Sequence, residues 1–383
     1  MPVAILFPRY DHPAIEERYA SWQSEMLLHR QADELHHYDF DESARHAVLD
    51  IQAEHVFVAT DPLVLPAPDL VERLGRLLST TGSFAVVPST NEPEHARQAA
   101  GIAPYITLRE LENEASGMRE QQPATEQVVW DGADPGAYLC ATASLADIKE
   151  PLGRVLAGKQ VTISRGDFIH RWASLRGQRR DDLLERITLD AKSVLEFGCG
   201  EGALGEALKK RQKCRVVGIE LDRRAAAIAR KRLDDVYQGD VLEIVSLIHE
   251  EFDWIIGGDI VEHLTEPWSF LAELRRISKP DGRLLLSLPN IANASIIGDL
   301  LQGRFDYVYM GLTCVGHLRF FTRRTIEDML AIAGWSVESI EPQTLLATTG
   351  HSELLARLEA ASIPFSRDDL QPTGYYVIAR NHR

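Results

Sequence analysis

Along much of the chain, short apolar runs end in polar turns and are followed by stretches whose apolar positions recur every three or four residues, a pattern that predicts buried strands alternating with amphipathic helices. The alternation is most regular in the second half. There it predicts strands over 193–197, 215–219, 235–237, 252–256 and 283–288, with helices over 203–211, 223–233 and 268–278 between them. Two further strands are expected at 335–340 and 374–380, which gives an α/β fold: a doubly wound, Rossmann-like, seven-stranded sheet. The first half predicts a separate, small α/β domain, with strands at 3–7, 55–59, 84–87 and 138–140 and helices over 18–30 and 68–78. Residues 110–134, rich in Glu, Gln, Pro and Gly, read as a surface loop. Between the halves, Phe168, Ile169, Trp172, Leu175, Leu183, Leu184 and Ile187 are spaced for an amphipathic helix split at Gly177. The expected organisation is therefore a domain at 1–150, a helical bridge at 151–189 and a second domain at 190–383.

Charge sharpens this division. The 383 residues carry a formal net charge of −16, yet 1–150 hold 10 basic against 25 acidic side chains while the remainder hold 31 against 32. An excess of negative charge disfavours nucleic acid and anionic membranes as partners. The apolar start, 1–8, has no basic n-region and is cut short by Pro8 and Arg9, no later apolar run approaches membrane-spanning length, and the four cysteines form no Cys-x-x-Cys pair. These features predict a cytoplasmic protein in a reducing compartment, without a zinc site.

The second half carries the chemistry. After the strand 193–197 comes Gly198-Cys199-Gly200-Glu201-Gly202, a turn whose missing side chains let the backbone lie against a ligand at the start of a helix. Glu220 closes the next strand, where a carboxylate can take both hydroxyls of a ribose. Gly200, Gly202 and Gly205 also satisfy the dinucleotide fingerprint, so the glycines alone do not separate a nicotinamide cofactor from another adenosine ligand. Further along stand Glu196 before the loop, Gly239-Asp240 after the third strand, Asp259-Ile260-Val261-Glu262-His263 after the fourth, and Lys279-Pro280-Asp281-Gly282 before the fifth. As an ordered set these resemble the class I S-adenosylmethionine-dependent methyltransferases, in the branch that contains the ubiquinone-biosynthesis O-methyltransferases.

The resemblance spans about 190–340 and implies S-adenosyl-L-methionine as cofactor. It gives Gly198, Gly200 and Gly202 the methionine side, Glu220 the ribose, Asp240 the adenine amino group with Val241 beside the ring, and Asp259 the methionine amino group. Asp259 alternatively caps a helix, and Glu196 is expected to orient the loop rather than touch the ligand. Residues 291–321 bring Asn290, Asn293, Phe305, Asp306, Tyr307, Tyr309, His317, Arg319, Phe320 and Phe321 close in sequence, which suits a wall over an organic acceptor. His317 and His263 are the candidate bases, because imidazole titrates near neutrality, although His263 can equally serve the fold. No metal is expected. The first domain resembles the nucleotide-sugar half of glycosyltransferases, but its expected carboxylate pair is Ala59 and Asp61, so one metal-holding group is missing. That resemblance makes a sugar or glycoconjugate hydroxyl the first expectation for the acceptor, with another small molecule behind it. A cofactor-binding scaffold or sensor without turnover is the alternative.

Overall fold

The computed structural model describes residues 2–8, 19, 23, 31, 33–38, 44–60, 63–64, 67, 69–91, 93–100, 103–121, 124–146, 151–171, 177–343 and 348–382. The chain forms two compact units, one of Met1–Ala173 with Arg304–Val315, the other of Ser174–Gly303 with Gly316–Arg383.

The first unit is built on a mixed eight-stranded sheet. Its strands are β1 (Val3–Pro8), β2 (Glu34–Tyr38), β3 (His55–Ala59), β4 (Leu63–Val64), β5 (Ala85–Thr90), β6 (Thr125–Val129), β7 (Ala137–Ala141) and β8 (Gln160–Arg171). They lie in the order β2-β1-β3-β7-β5-β8-β4, with β6 also on β8, and β7 runs antiparallel to both its neighbours. The helix Leu70–Thr81 packs Leu70, Val71, Leu74 and Leu78 against Phe57, Val86 and Leu139, and it stops at Gly82, whose φ of 64° suits a residue without Cβ.

Two sequence expectations are corrected in this unit. Residues 110–134 are not a loop: the helix Leu108–Gln121 and β6 occupy most of them, because Leu111, Ala115 and Met118 make a buried stripe that the surrounding charges obscured. The bridge is not helical either, since 160–171 is the strand β8, and the helix Asp181–Leu184 is short. A register shift at Pro88/Ser89, opposite Ser164 and Phe168, breaks the strand's alternation and made Phe168 and Ile169 look helical. Asp61, Trp172, Leu175 and all of the expected helix 18–30 except Tyr19 and Gln23 lie outside the described residues.

The second unit has the expected seven strands: β9 (Ser193–Phe197), β10 (Arg215–Glu220), β11 (Asp235–Gln238), β12 (Phe252–Gly258), β13 (Ser278–Pro289), β14 (Ser336–Gln343) and β15 (Gly374–Arg380). Their order is β11-β10-β9-β12-β13-β15-β14, and β15 runs antiparallel to both of its neighbours, β13 and β14. One face buries Leu195, Ile255, Leu284 and Leu286 under Phe270, Leu274, Ile326 and Leu330. The other buries Val194, Val216, Ile256 and Leu285 under Leu204, Leu208 and Ala226. Strand order reverses between β9 and β12, so the loops after these two strands flank the switch point where open α/β sheets bind ligands.

The expected second domain, 190–383, is interrupted. Its segment Arg304–Val315 groups with the first unit, where Arg304 pairs with Glu112 at 2.9 Å and the Tyr307 carbonyl accepts a 3.1 Å hydrogen bond from the Tyr19 hydroxyl.

Candidate cofactor and active site

The loop after β9 takes its shape from three glycines with positive φ: Gly198 at 69°, Gly200 at 54° and Gly202 at 76°. The Gly198 and Cys199 amides donate to the Ile219 carbonyl at 2.8 and 3.0 Å, which ties the loop to the end of β10. A Cβ at Gly198 would stand 2.3 Å from Ile260 Cδ1, so no side chain fits there. Gly200 N–H donates to Glu220 Oε2 at 2.8 Å, while Glu220 Oε1 accepts from the Asp222 amide at 2.8 Å. Both oxygens retain further acceptor capacity, and the residue is half-buried at the strand end.

Beside the loop, Asp240 is exposed and its Oδ1 accepts from the Leu242 amide at 2.9 Å, capping the following turn. Val241 lies in the core and not on an open surface. Glu196 is buried, and burial pushes its carboxyl up to about 8, with the Gly205 amide opposing this and the Glu220 charge reinforcing it. Its Oε2 has no hydrogen-bond partner among the described residues.

Asp259 does not cap a helix. It follows β12 in a left-handed conformation, φ 53°, and the short turn Val261–His263 begins beyond it. Its Oδ2 accepts from Arg180 Nη1 at 2.8 Å and its Oδ1 from the Ser287 hydroxyl at 2.9 Å. Arg180, itself at φ 52°, also donates to Asp182, which is bonded to the Tyr376 hydroxyl at 2.9 Å.

The two candidate bases meet. The rings of His263 and His317 stand edge to face with centroids 4.9 Å apart, and His317 Nε2 is 3.9 Å from Glu262 Oε1. Glu262 is 1% exposed, and burial next to the Asp259 charge holds its carboxyl well above the ordinary range. The Leu318 and Arg319 amides donate to the Glu262 carbonyl at 2.8 and 3.0 Å, so the two segments are joined through backbone as well. Ligating atoms of Glu262, His263 and His317 all fall within 4.8 Å of one another, a spacing that also admits a cation, whereas the sequence had no metal expectation.

The expected acceptor wall divides. Phe320 is 40% exposed and Phe321 is core, while Asn290 and Asn293 are buried and spend their amides on carbonyls of 369–372. Phe305, Asp306, Tyr307 and Tyr309 fall in the first unit. Sequence reasoning missed Arg180, Ser287 and Glu262 as site residues. Arg179-Arg180-Asp181-Asp182 reads as a solvated charged run, and Ser287 sits inside a strand, so neither announces itself; Glu262 was visible within the Glu-His pair but carried no assigned role.

S-adenosylmethionine offers an adenosine diol, an adenine amino group and an amino-acid zwitterion. The donor set fits it: carboxylates at two adjacent strand ends, a loop of three glycines with positive φ, and an arginine-aspartate pair of opposite charges at the switch point. The profile of the family described as "Methyltransferase domain" matches residues 168–340. The chain is similar to the ubiquinone biosynthesis O-methyltransferase of Hahella chejuensis, at 30% identity over 140 residues, 32% of this chain and 58% of that protein. It is also similar to that of Cereibacter sphaeroides, at 25% identity over 52% of this chain and 82% of that one. Among solved structures it aligns with a SAM-dependent methyltransferase from Archaeoglobus fulgidus at 18% identity and TM-score 0.40, covering 54% of this chain and 95% of that one. The match to the methyltransferase-domain family is confined to residues 168–340, less than half of the chain. The chain spans about 58% of the length of the first curated relatives it matches.

Proposed function

We propose that the protein transfers the methyl group of S-adenosylmethionine to a hydroxyl of a small-molecule acceptor, with a sugar or glycoconjugate as the first class to try. The observation that carries this reading is the continuity of the site: Asp259, paired with Arg180 at 2.8 Å, is also the charge that bears on Glu262 beside His317. The Gly198–Gly202 turn and Arg180 with Asp259 would hold the methionine end, Glu220 the ribose and Asp240 the adenine amino group. The O-methyltransferase relatives support oxygen as the methylated atom.

Bound S-adenosylmethionine supplies an electrophilic methyl group on a sulfonium. The chain's own contribution is placement and proton handling. His317 Nε2, with Glu262 at 3.9 Å and the His263 ring against it, is our candidate to take the acceptor proton. The half-exposed Phe320 ring, 6.4 Å from the His317 ring, offers an apolar surface to the acceptor. The test is release of S-adenosylhomocysteine in the presence of candidate acceptors, alongside calorimetry with S-adenosylmethionine. Cofactor binding without turnover on any hydroxyl acceptor supports the scaffold alternative, and stabilisation by NAD in place of S-adenosylmethionine overturns both.

A further inference from the structure

The Arg180 guanidinium is engaged through all three of its nitrogens. Nε donates to Asp182 Oδ1 and Oδ2 at 3.0 and 3.2 Å, Nη2 to Asp182 Oδ2 and Ser287 Oγ at 2.9 and 3.1 Å, and Nη1 to Asp259 Oδ2 at 2.8 Å. It lies over Gly258, where a Cβ would come within 3.0 Å of Nη1. Both members of the Arg180–Asp259 pair hold left-handed backbone, a region that non-glycine residues enter only when their surroundings impose it. The pair is nonetheless reachable, with the Asp259 side chain 40% exposed and that of Arg180 22% exposed.

The two partners are unequally supported. If the pair opens, Arg180 keeps Asp182, which is steadied by the Tyr376 hydroxyl, whereas Asp259 keeps, among the side chains of the described residues, only the neutral Ser287 hydroxyl. A carboxylate-only ligand therefore takes Arg180 and strands the part-buried Asp259 charge, and an ammonium-only ligand has to draw Asp259 from Arg180 while giving Arg180 nothing in its place. A ligand that brings both charges replaces one ion pair with two.

We propose that the Arg180–Asp259 ion pair is a latch that selects the zwitterionic amino-acid end of the cofactor, opening only for a ligand that presents a carboxylate to Arg180 and an ammonium to Asp259 together. This rests on the cofactor reading above. It adds that the pair works against single-charge adenosine compounds, so that specificity comes from an internal competitor as much as from attraction.

The latch makes an expectation that a plain contact residue does not. Calorimetry is run on the wild type, Arg180→Gln and Asp259→Asn with four ligands. These are S-adenosylhomocysteine with both charges, decarboxylated S-adenosylhomocysteine with only the ammonium, deaminated S-adenosylhomocysteine with only the carboxylate, and 5′-methylthioadenosine with neither. Both variants should lose about tenfold or more in affinity for S-adenosylhomocysteine and stay within about threefold for methylthioadenosine. Arg180→Gln should bind the ammonium-only ligand about threefold or more tightly than the wild type does, because Asp259 no longer has to be drawn from its partner, and Asp259→Asn should likewise gain for the carboxylate-only ligand. Loss for every charged ligand in both variants, with methylthioadenosine unchanged, overturns the latch and leaves the cofactor reading standing. If the wild type binds none of the four, the cofactor reading falls and the latch with it. Should one variant melt too early to titrate, the other carries the same comparison through its own single-charge ligand.

Discussion

Glu220 shows how one carboxylate shapes the loop that, on the proposed reading, meets the ribose. Its two oxygens already accept from Gly200 and Asp222, so it fixes the turn that would receive the cofactor before any hydroxyl arrives. Charge-assisted hydrogen bonds contribute about 1.5 to 3 kcal/mol, so Glu220→Ala should lower S-adenosylmethionine affinity about tenfold or more, read by calorimetry. Asp240→Ala should weaken binding less, since one amino group is involved, and should also lose the cap on the turn that follows. Glu196 behaves differently. Its folded-state value, about 8, lies above the ordinary carboxylate range, so the folded protein holds the proton more tightly than the unfolded chain. Stability from this group is complete below the unfolded value of about 4.3 and is lost at up to about 1.4 kcal/mol per pH unit as pH rises toward 8. Glu196→Gln should thus raise the melting temperature relative to the wild type at pH 8 and change it little at pH 4.5. An equal effect at both values would mean that Glu196 is charged in the folded state throughout.

At the scale of elements, the βα alternation from 193 onward was legible because each strand is a short, apolar run closed by a turn residue with a physical job: Gly198, Glu220, Gly239 and Gly258. What escaped was set by long-range packing. The helix Leu108–Gln121 hides three apolar positions among charges, and β8 changes register against β5 part-way along, so local periodicity misled in both places. The candidate site divides in the same way. The glycines and strand-end carboxylates could be read from spacing, whereas the approach of Arg180 to Asp259 and of Glu262 to His317 depends on how residues 79 and 55 positions apart in the chain are folded together. The Val261–His263 turn and the segment after Gly316 are stitched by the Glu262 carbonyl, which makes the two histidines neighbours without making them equivalent. If the proposed reaction holds, His317→Asn should lower turnover about a hundredfold or more while leaving cofactor affinity near normal. His263→Asn should act chiefly on melting temperature, because its ring supports that of His317. Near-normal turnover in His317→Asn with loss in His263→Asn transfers the base to His263.

For the whole molecule, the two units have separate apolar cores and opposite titration within one chain. In the first unit, His170 on β8 is 9% exposed, its Nδ1 meets the Tyr105 hydroxyl, and burial pushes it down to about 4. The unfolded chain takes up that proton near pH 6.5, so the first unit loses stability as pH falls from about 6.5 toward 4. In the second unit, Glu196 at about 8, with Glu262 raised by the same burial, works the other way: stability is lost as pH rises from about 4.5 toward 8. Between pH 4.5 and 6.5 acidification should therefore weaken the first unit and strengthen the second. Scanning calorimetry of the full chain at pH 4.5, 5.5 and 6.5 should resolve transitions that move in opposite directions, and His170→Gln should flatten the acid-sensitive one alone. Transitions that fall together on acidification, with His170→Gln leaving both unchanged, would show that the buried histidine does not control the first unit and that the carboxylates of the second are ionised in its folded state.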